Sequence, residues 1–356
     1  MKMQGKVVFV NERLTGGGSE RVMSILATEY VKLGIDTSMI LLNEDIRTYD
    51  VPSEVRIIES YCPMKKKYIC WHVKRIISLR KAIKESGADT IISFIWNTNL
   101  KVMLASLGLK KKIIISERAD PAVYYNKKSF QFANKILFPN AEAIVFQTEE
   151  AMKYYTRKKQ QKQVVISNPI PNNLPVYSGE RDKRIVAVGR LTEQKNYKML
   201  FDAFSQFYDN HRDYILEVYG QGPDLQKLKE YVIDLKLESV IVFKGYVSDL
   251  KQQIVSAGIY VNCSYYEGIS NAMLEALAMG IPTVCTDCPV GGARLVIDSG
   301  ENGILIPVND QVALVKALFR IADNPELAKD MSEKAKFILD KYSAEHIAHE
   351  WMVLCG

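Results

Sequence analysis

Glu267 and Glu275 stand eight residues apart in the segment 265–280, whose other members are mostly apolar or glycine. Glu267 falls in the loop after a buried apolar run, and Gly268 beside it lets a backbone approach a ligand closely. Ser270 or Asn271 caps the helix that follows, and Glu275 lies one turn inside it. A carboxylate among Ala, Met and Leu is costly unless it is paired or hydrogen-bonded. Capping or the helix dipole accounts for one of the two glutamates, hardly for both. A second cluster is Gly189-Arg190 with Lys195-Asn196, which places two cations at a strand end and a helix start. Arg190 offers a planar, bidentate grip on phosphate oxygens, and Lys195 adds a point charge. The alternative is a solvated strand end. A third is the turn Gly16-Gly17-Gly18 before a helix, whose free N–H groups and dipole favour an anion. It lacks the Gly-x-Gly-x-x-Gly spacing of a dinucleotide fold, and the chain has no Gly-x-x-x-x-Gly-Lys-Ser/Thr loop. Alone, the three glycines also fit a tight turn without a ligand.

These residues must be positioned by alternating elements. In the first half the apolar periods predict strands at 6–10, 37–42, 90–94, 112–116, 143–146 and 163–166. Helices are predicted between them: one after Gly18 that ends at Gly34, then 73–86, 97–107, 129–138 and 148–157. The stretch 168–175 holds three prolines and reads as a linker. Strands at 184–188, 214–219, 240–243, 259–263, 283–285 and 303–306 follow. They are interleaved with helices at 196–208, 223–236, 248–256, 270–279, a short one near 292–298, and helices from 310 onward. Strands alternating with helices mean parallel sheets covered on both faces. The expected fold is therefore α/β, with two Rossmann-like, doubly wound domains facing a cleft: 1–172, joined by a C-terminal helix 343–356, and 180–342. Ligands of such sheets sit beyond the carboxyl ends of the strands.

The chain has 356 residues, 47% hydrophobic and 25% charged, enough apolar side chains for two cores. This composition excludes a disordered scaffold and a disulfide-stapled module. No apolar run approaches the roughly 18–20 residues that cross a bilayer, and the opening residues read as a buried strand rather than a leader. Six cysteines are expected as reduced cytoplasmic thiols. Cys285 and Cys288 have Cys-x-x-Cys spacing but no second ligand pair, so they read as a strand-end turn. The net charge of +6 conceals an asymmetry: 28 basic against 16 acidic residues over 1–178, and 19 against 25 over 179–356. Two domains with different partners are implied.

Glu267 and Glu275 at this spacing, together with Gly189-Arg190, Lys195-Asn196, Gly291-Gly292 and Glu301-Asn302-Gly303 before Pro307, resemble the retaining glycosyltransferases of family 4, which have the GT-B architecture. The resemblance spans essentially the whole chain. Gly17-Gly18-Ser19-Glu20-Arg21, Ile92-Ser93-Phe94 and Ile115-Ser116-Glu117-Arg118 resemble the branch that builds lipid-linked and capsular oligosaccharides, often with galactose or N-acetylgalactosamine. The resemblance implies that Arg190 and Lys195 hold a donor diphosphate and offset charge on the leaving group in place of a metal ion. In keeping with that, no Asp-x-Asp occurs in the sequence, and no cofactor or metal is expected. It further implies Glu267 on the donor sugar hydroxyls, the backbone of Ile269, Ser270 and Asn271 near sugar and phosphate, and Glu275 on the ribose. Gly245 and Tyr246 would meet the base, and Gly17 and Gly18 would close the site. Relatives often carry a His near the position of Arg118; this chain has none there, so Glu117 and Arg118 are placed on the acceptor side, Arg118 toward an acceptor phosphate. After Gly291-Gly292 the chain reads Ala293-Arg294-Leu295 where relatives have Pro and an acid. No residue reads as a nucleophile, and the expected route is a front-face, oxocarbenium-like transfer with retention.

Cations mixed with aromatics mark the first half: Lys65, Lys66 and Lys67 with Tyr68, Trp71, Lys74 and Arg75; Lys110 to Lys112; Tyr124 and Tyr125 with Lys127 and Lys128; Arg157 to Lys159. Ordinary solvated helix ends are the plain alternative. Anionic headgroups and the interface suit the pattern, and no nucleic-acid module accompanies it. The expected partners are a nucleotide-diphosphate sugar, a lipid-linked saccharide acceptor and the anionic inner membrane face, with the enzyme cytoplasmic and peripherally attached. Three other functions compete: an NAD-dependent oxidoreductase, which needs the missing glycine fingerprint; a sugar-nucleotide epimerase, which has little use for a basic domain; and a non-catalytic sugar-nucleotide-binding protein, which should have lost some of the four charged site residues.

Overall fold

A computed structural model describes residues 5–43, 48–61, 69–157 and 161–356. Cys62, the Lys65–Lys67 cluster with Tyr68, and Lys158 and Lys159 lie outside the described residues, as does the side chain of Cys70. The chain divides into two compact units, Met1–Pro169 with Tyr342–Gly356, and Ile170–Lys341.

Unit 1 is a parallel sheet built from β1 (Val7–Asn11), β2 (Thr37–Leu41), β3 (Arg56–Glu59), β4 (Thr90–Phe94), β5 (Lys112–Ser116), β6 (Ala143–Phe146) and β7 (Lys162–Val165), in the order β3-β2-β1-β4-β5-β6-β7. Val7 pairs with Thr37 on one side and Thr90 on the other, so the order reverses between β1 and β4. Right-handed crossovers then send the connections before and after that point to opposite faces. One face carries α1 (Gly18–Lys32) and α13 (Ala344–Cys355), which pack together. The other carries α2 (Ile69–Ser86), α3 (Trp96–Ala105) and α4 (Lys128–Phe132, prolonged by a π-helical turn Ala133–Leu137), which bury Leu79, Val102 and Phe130 in one core with Val8, Ile91 and Ile115. The inner strands are buried on both faces, which is why they read as continuous apolar runs.

The structure departs from expectation at three places in the secondary structure. β3 has no counterpart among the expected strands: it is four residues long, lies at the sheet edge and buries only Ile58, so it gives little apolar signal. The helix expected over 148–157 is only α5 (Glu149–Met152), capped by Thr148. The segment 292–298 is a series of turns, because Gly291 has φ +73° and Asn302 binds the Val296 carbonyl and the Asp298 N–H.

Unit 2 holds β8 (Asp182–Val188), β9 (Ile215–Tyr219), β10 (Ile241–Gly245), β11 (Ala257–Asn262), β12 (Thr283–Thr286) and β13 (Ile304–Ile306), in the order β10-β9-β8-β11-β12-β13. Its helices are α6 (Tyr197–Tyr208), α7 (Leu225–Asp234), α8 (Leu250–Ile254), α9 (Asn271–Ala278), α10 (Gln311–Ala322) and α11 (Pro325–Ala335), with α12 (Ile338–Tyr342) leading back to unit 1. The order reverses between β8 and β11. Loops leaving those two strands therefore diverge and leave a crevice at their carboxyl ends.

Candidate active site

At that crevice β8 delivers Gly189 and Arg190, and a 3₁₀ turn (Glu193–Lys195) delivers Lys195. β11 delivers the loop 263–270. The two loops are tied together: the Tyr265 N–H donates to the Gln194 carbonyl, and the Gln194 amide donates to the Tyr266 carbonyl. Between them Lys195 Nζ forms an ion pair with Glu267 Oε2, the two side chains 14% and 24% exposed. Ser264 Oγ bonds the same carboxylate oxygen at 3.2 Å and Asn262 Oδ1 at 2.7 Å. Asn262, Glu267, Gly268, Ser270, Thr286 and Cys288 line a small cavity there. Arg190, which follows Gly189, is exposed, and no ion pair engages it among the described residues. The arrangement offers one free cation, one cation held by a carboxylate, and helix N-terminal amides at one strand-end crevice. Such a group can grip a phosphate ester and bond the hydroxyls of what the phosphate carries.

Glycines set how closely these loops approach. A Cβ on Gly189 would meet Lys195 Cε at 2.9 Å, so the lysine stem lies across that residue. Gly292 backs onto the Glu267 loop, where a Cβ would stand 2.0 Å from the Gly268 carbonyl oxygen. Sequence reasoning missed Gly220 and Gly222, whose added Cβ atoms would fall 2.0 Å from the Gly189 oxygen and 2.2 Å from the Leu191 oxygen. The Gly-Gln-Gly after β9 was the signal available. It also missed Gln194, Asn262 and Ser264, which carry no motif of their own.

Ser270, not Asn271, is the N-cap of α9, its Oγ accepting from the Met273 N–H; Asn271 is the first helical residue and Ile269 is buried before it. Glu275 is buried within α9 and does not line the cavity at Glu267. Gly245 has φ +68° and Tyr246 is exposed at the end of β10, next in the sheet to β9. The thiols of Cys263, Cys285 and Cys288 are buried, which raises them all, Cys288 to about 11; they stay protonated at neutral pH. Cys288 donates to the Ser264 carbonyl, a strand-end contact. Among the described residues no three of His, Cys, Asp and Glu are grouped as ligands of a metal ion.

In unit 1, Gly17 is the N-cap of α1, and the Glu20 carboxylate folds over it, within 2.0 Å of where a Cβ would stand; Gly18 opens the helix. Of the two residues expected on the acceptor side, Glu117 is buried in unit 1 and Arg118 is half-buried. Burial raises the Glu117 carboxyl, against donors from the Arg118 and Ala119 N–H groups and the Tyr155 hydroxyl. The Arg118 guanidinium lies over Phe94 (4.8 Å) and Trp351 (5.2 Å), and donates to the Ile166 carbonyl and Asn168 Oδ1. Burial lowers it to about 9, the Glu117 charge opposing. Arg118 Nη1 makes both of these hydrogen bonds, while Nε and Nη2 have no hydrogen-bond partner among the described residues.

Residues 175–337 match the family described as Glycosyl transferases group 1, and residues 16–173 match Glycosyltransferase Family 4. A GalNAc-alpha-(1->4)-GalNAc-alpha-(1->3)-diNAcBac-PP-undecaprenol alpha-1,4-N-acetyl-D-galactosaminyltransferase of Campylobacter jejuni is 27% identical, over 98% of each chain. An N-acetylgalactosamine-N,N'-diacetylbacillosaminyl-diphospho-undecaprenol 4-alpha-N-acetylgalactosaminyltransferase of the same organism is 26% identical over 98% of each. Among solved structures, a sucrose-phosphate synthase of Thermosynechococcus elongatus superimposes with TM-score 0.84 at 17% identity, covering 99% of this chain and 98% of that one. HepE of Anabaena, in complex with UDP and glucose, gives 0.84 at 15% identity, covering 98% and 99%. Fold and site together define a glycosyltransferase of the GT-B type. The chain belongs to glycosyltransferase family 4.

The Gly292 contact makes a test within this class. Gly292→Ala is expected to displace the Gly268 carbonyl and cut turnover by at least about tenfold, at a stability cost of about 1–3 kcal/mol. Steady-state rates and a thermal melt check it; unchanged turnover would mean that another contact sets the Glu267 loop.

Proposed function

We propose that this glycosyltransferase moves a hexose or N-acetylhexosamine, with retention, from a nucleotide-diphosphate sugar to a lipid-linked oligosaccharide at the inner membrane face. The observation that carries the reading is the Lys195–Glu267 pair at the β8/β11 crevice, with Arg190 exposed after Gly189. Arg190 and Lys195 take the donor diphosphate and stabilise the charge that develops on it as the glycosidic bond breaks, without a metal ion. Glu267 accepts hydrogen bonds from the sugar hydroxyls, and the amides at the start of α9 face the phosphate. Tyr246 meets the base and Glu275 takes the ribose. The buried thiols are protonated; the acceptor hydroxyl attacks from the leaving-group side as the bond to the diphosphate breaks, and a phosphate oxygen takes its proton.

Two relatives named for lipid diphosphate acceptors, aligned over 98% of the chain, support the acceptor class. The complex of HepE with UDP supports uridine as the base. Among the described residues no helix is long and apolar enough to cross a membrane, so attachment through a surface is the form proposed. Calorimetric titration with UDP, GDP and ADP in excess EDTA tests the donor site: UDP is expected to bind without metal, and the others more weakly. Failure of all three to bind, or binding only after a divalent ion is restored, removes the metal-free diphosphate site. The anomeric configuration of the product, read by NMR, tests retention, and a trapped sugar–enzyme adduct would exclude the front-face route.

A further inference from the structure

The two helical faces of unit 1 differ in charge. On one, α1 and α13 carry Glu20, Glu29, Glu345 and Glu350 against Arg21 and Lys32. On the other, α2 carries five Lys and Arg against Glu85 alone, and Glu85 is itself paired with Arg56. α3 and the helix that starts as α4 add Lys101, Lys128 and Lys135 and no acid. Arg75 and Lys101 turn inward onto Glu12, and half-buried Arg80 donates to the Ala105 and Leu107 carbonyls, which leaves Lys74, Lys81, Lys84, Lys128 and Lys135 exposed. The four-residue α5, with Glu149 and Glu150, marks the edge of this basic face.

The same face exposes large apolar side chains. Val73 and Ile77 stand one turn apart on α2; Phe132 and Ile136 stand one turn apart on the α4 helix, in line with Lys128 and Lys135. These four are 50–61% exposed. α2 packs on α3, and α3 on the turn 133–137, so both stripes belong to one continuous layer. Apolar side chains flanked by lysines, with almost no acid among them, suit a surface that is negatively charged and has an apolar interior. A protein partner would need fixed, complementary acids; a bilayer needs only charge density.

We propose that the α2–α3–α4 layer docks on an anionic phospholipid bilayer, with Phe132 and Ile136 entering the interfacial region and the lysines on its phosphates. This rests on the peripheral attachment proposed above and names the surface that makes it. The test uses the full chain and co-sedimentation with vesicles of phosphatidylcholine alone or mixed with phosphatidylglycerol; the vesicles carry no saccharide, so docking is read without transfer. The chain is expected to bind the mixed vesicles and not the neutral ones, and to release as salt is raised. Phe132→Ser with Ile136→Ser, and separately Lys128→Glu with Lys135→Glu, should weaken binding by about tenfold or more. Val353→Ser, on the exposed side of α13, should leave it unchanged. A thermal melt confirms that each variant is folded. Wild-type binding by both double variants, or equal binding to neutral vesicles, overturns the proposal. So does light scattering that shows a dimer which the Phe132/Ile136 variant dissolves, since the face would then join two copies. UDP binding in EDTA is independent of all these outcomes, so a failed docking surface leaves the donor site standing.

Discussion

Glu267→Gln is expected to lower transfer by about 10²–10³, the loss typical of removing one preorganised electrostatic group from an active site. The amide keeps the shape of the carboxylate and its place beside Ser264 Oγ, but it no longer charge-pairs with Lys195 and accepts weaker hydrogen bonds from donor hydroxyls. Nucleotide affinity should move the other way or stay level, because Lys195 is released to the diphosphate. Steady-state rates and a UDP titration on the same preparation separate the two effects. Parallel loss of transfer, UDP binding and thermal stability would show that Glu267 is a structural carboxylate and not a catalytic one.

The largest stability effect is expected at the other end of the chain. Trp351 on α13 is fully buried against Phe94 of β4, ring centroids 5.4 Å apart, and forms one wall of the Arg118 guanidinium site. Trp351→Ala should cost about 3–5 kcal/mol, from the cavity and the lost contacts together. At roughly 2–4 °C per kcal/mol for a unit of this size, the unit 1 melting transition should fall by about 6–20 °C. Trp351→Phe should restore part of it. Differential scanning calorimetry reads both; a change below about 1 kcal/mol would mean that α13 is not held on unit 1 through this side chain.

Much of the candidate site was legible. Glu267, Arg190 and Lys195 announce themselves because charges between an apolar strand and an apolar helix need a reason to be there. Residues that act through their backbone or lack of a side chain were harder to see. Gly220 and Gly222 matter only because the β9 turn lies against Gly189 and Leu191, and Ser264 matters only because its hydroxyl reaches Glu267. Arg118 was legible in part. Its place beside Glu117 was legible in a motif, but its packing on Phe94, Trp351 and Asn168, from distant parts of the sequence, was not. β3 was missed because only Ile58 of its four residues is buried, so it carries no continuous apolar run.

The alternation of apolar runs and amphipathic helices determined, from the sequence alone, two parallel α/β sheets and a proline-rich passage between them, because each periodicity is local and each buried face must be covered. Composition likewise determined which parts of the chain are basic. Which strands become neighbours is not a local property. Only the tertiary structure decided that β8 and β11 adjoin, and so brought Lys195 and Glu267, 72 residues apart, into one ion pair at the reversal of strand order. It also decided that the basic residues of α2, α3 and α4 share one face of unit 1, because right-handed crossovers place the helices that follow a reversal on the side opposite those that precede it.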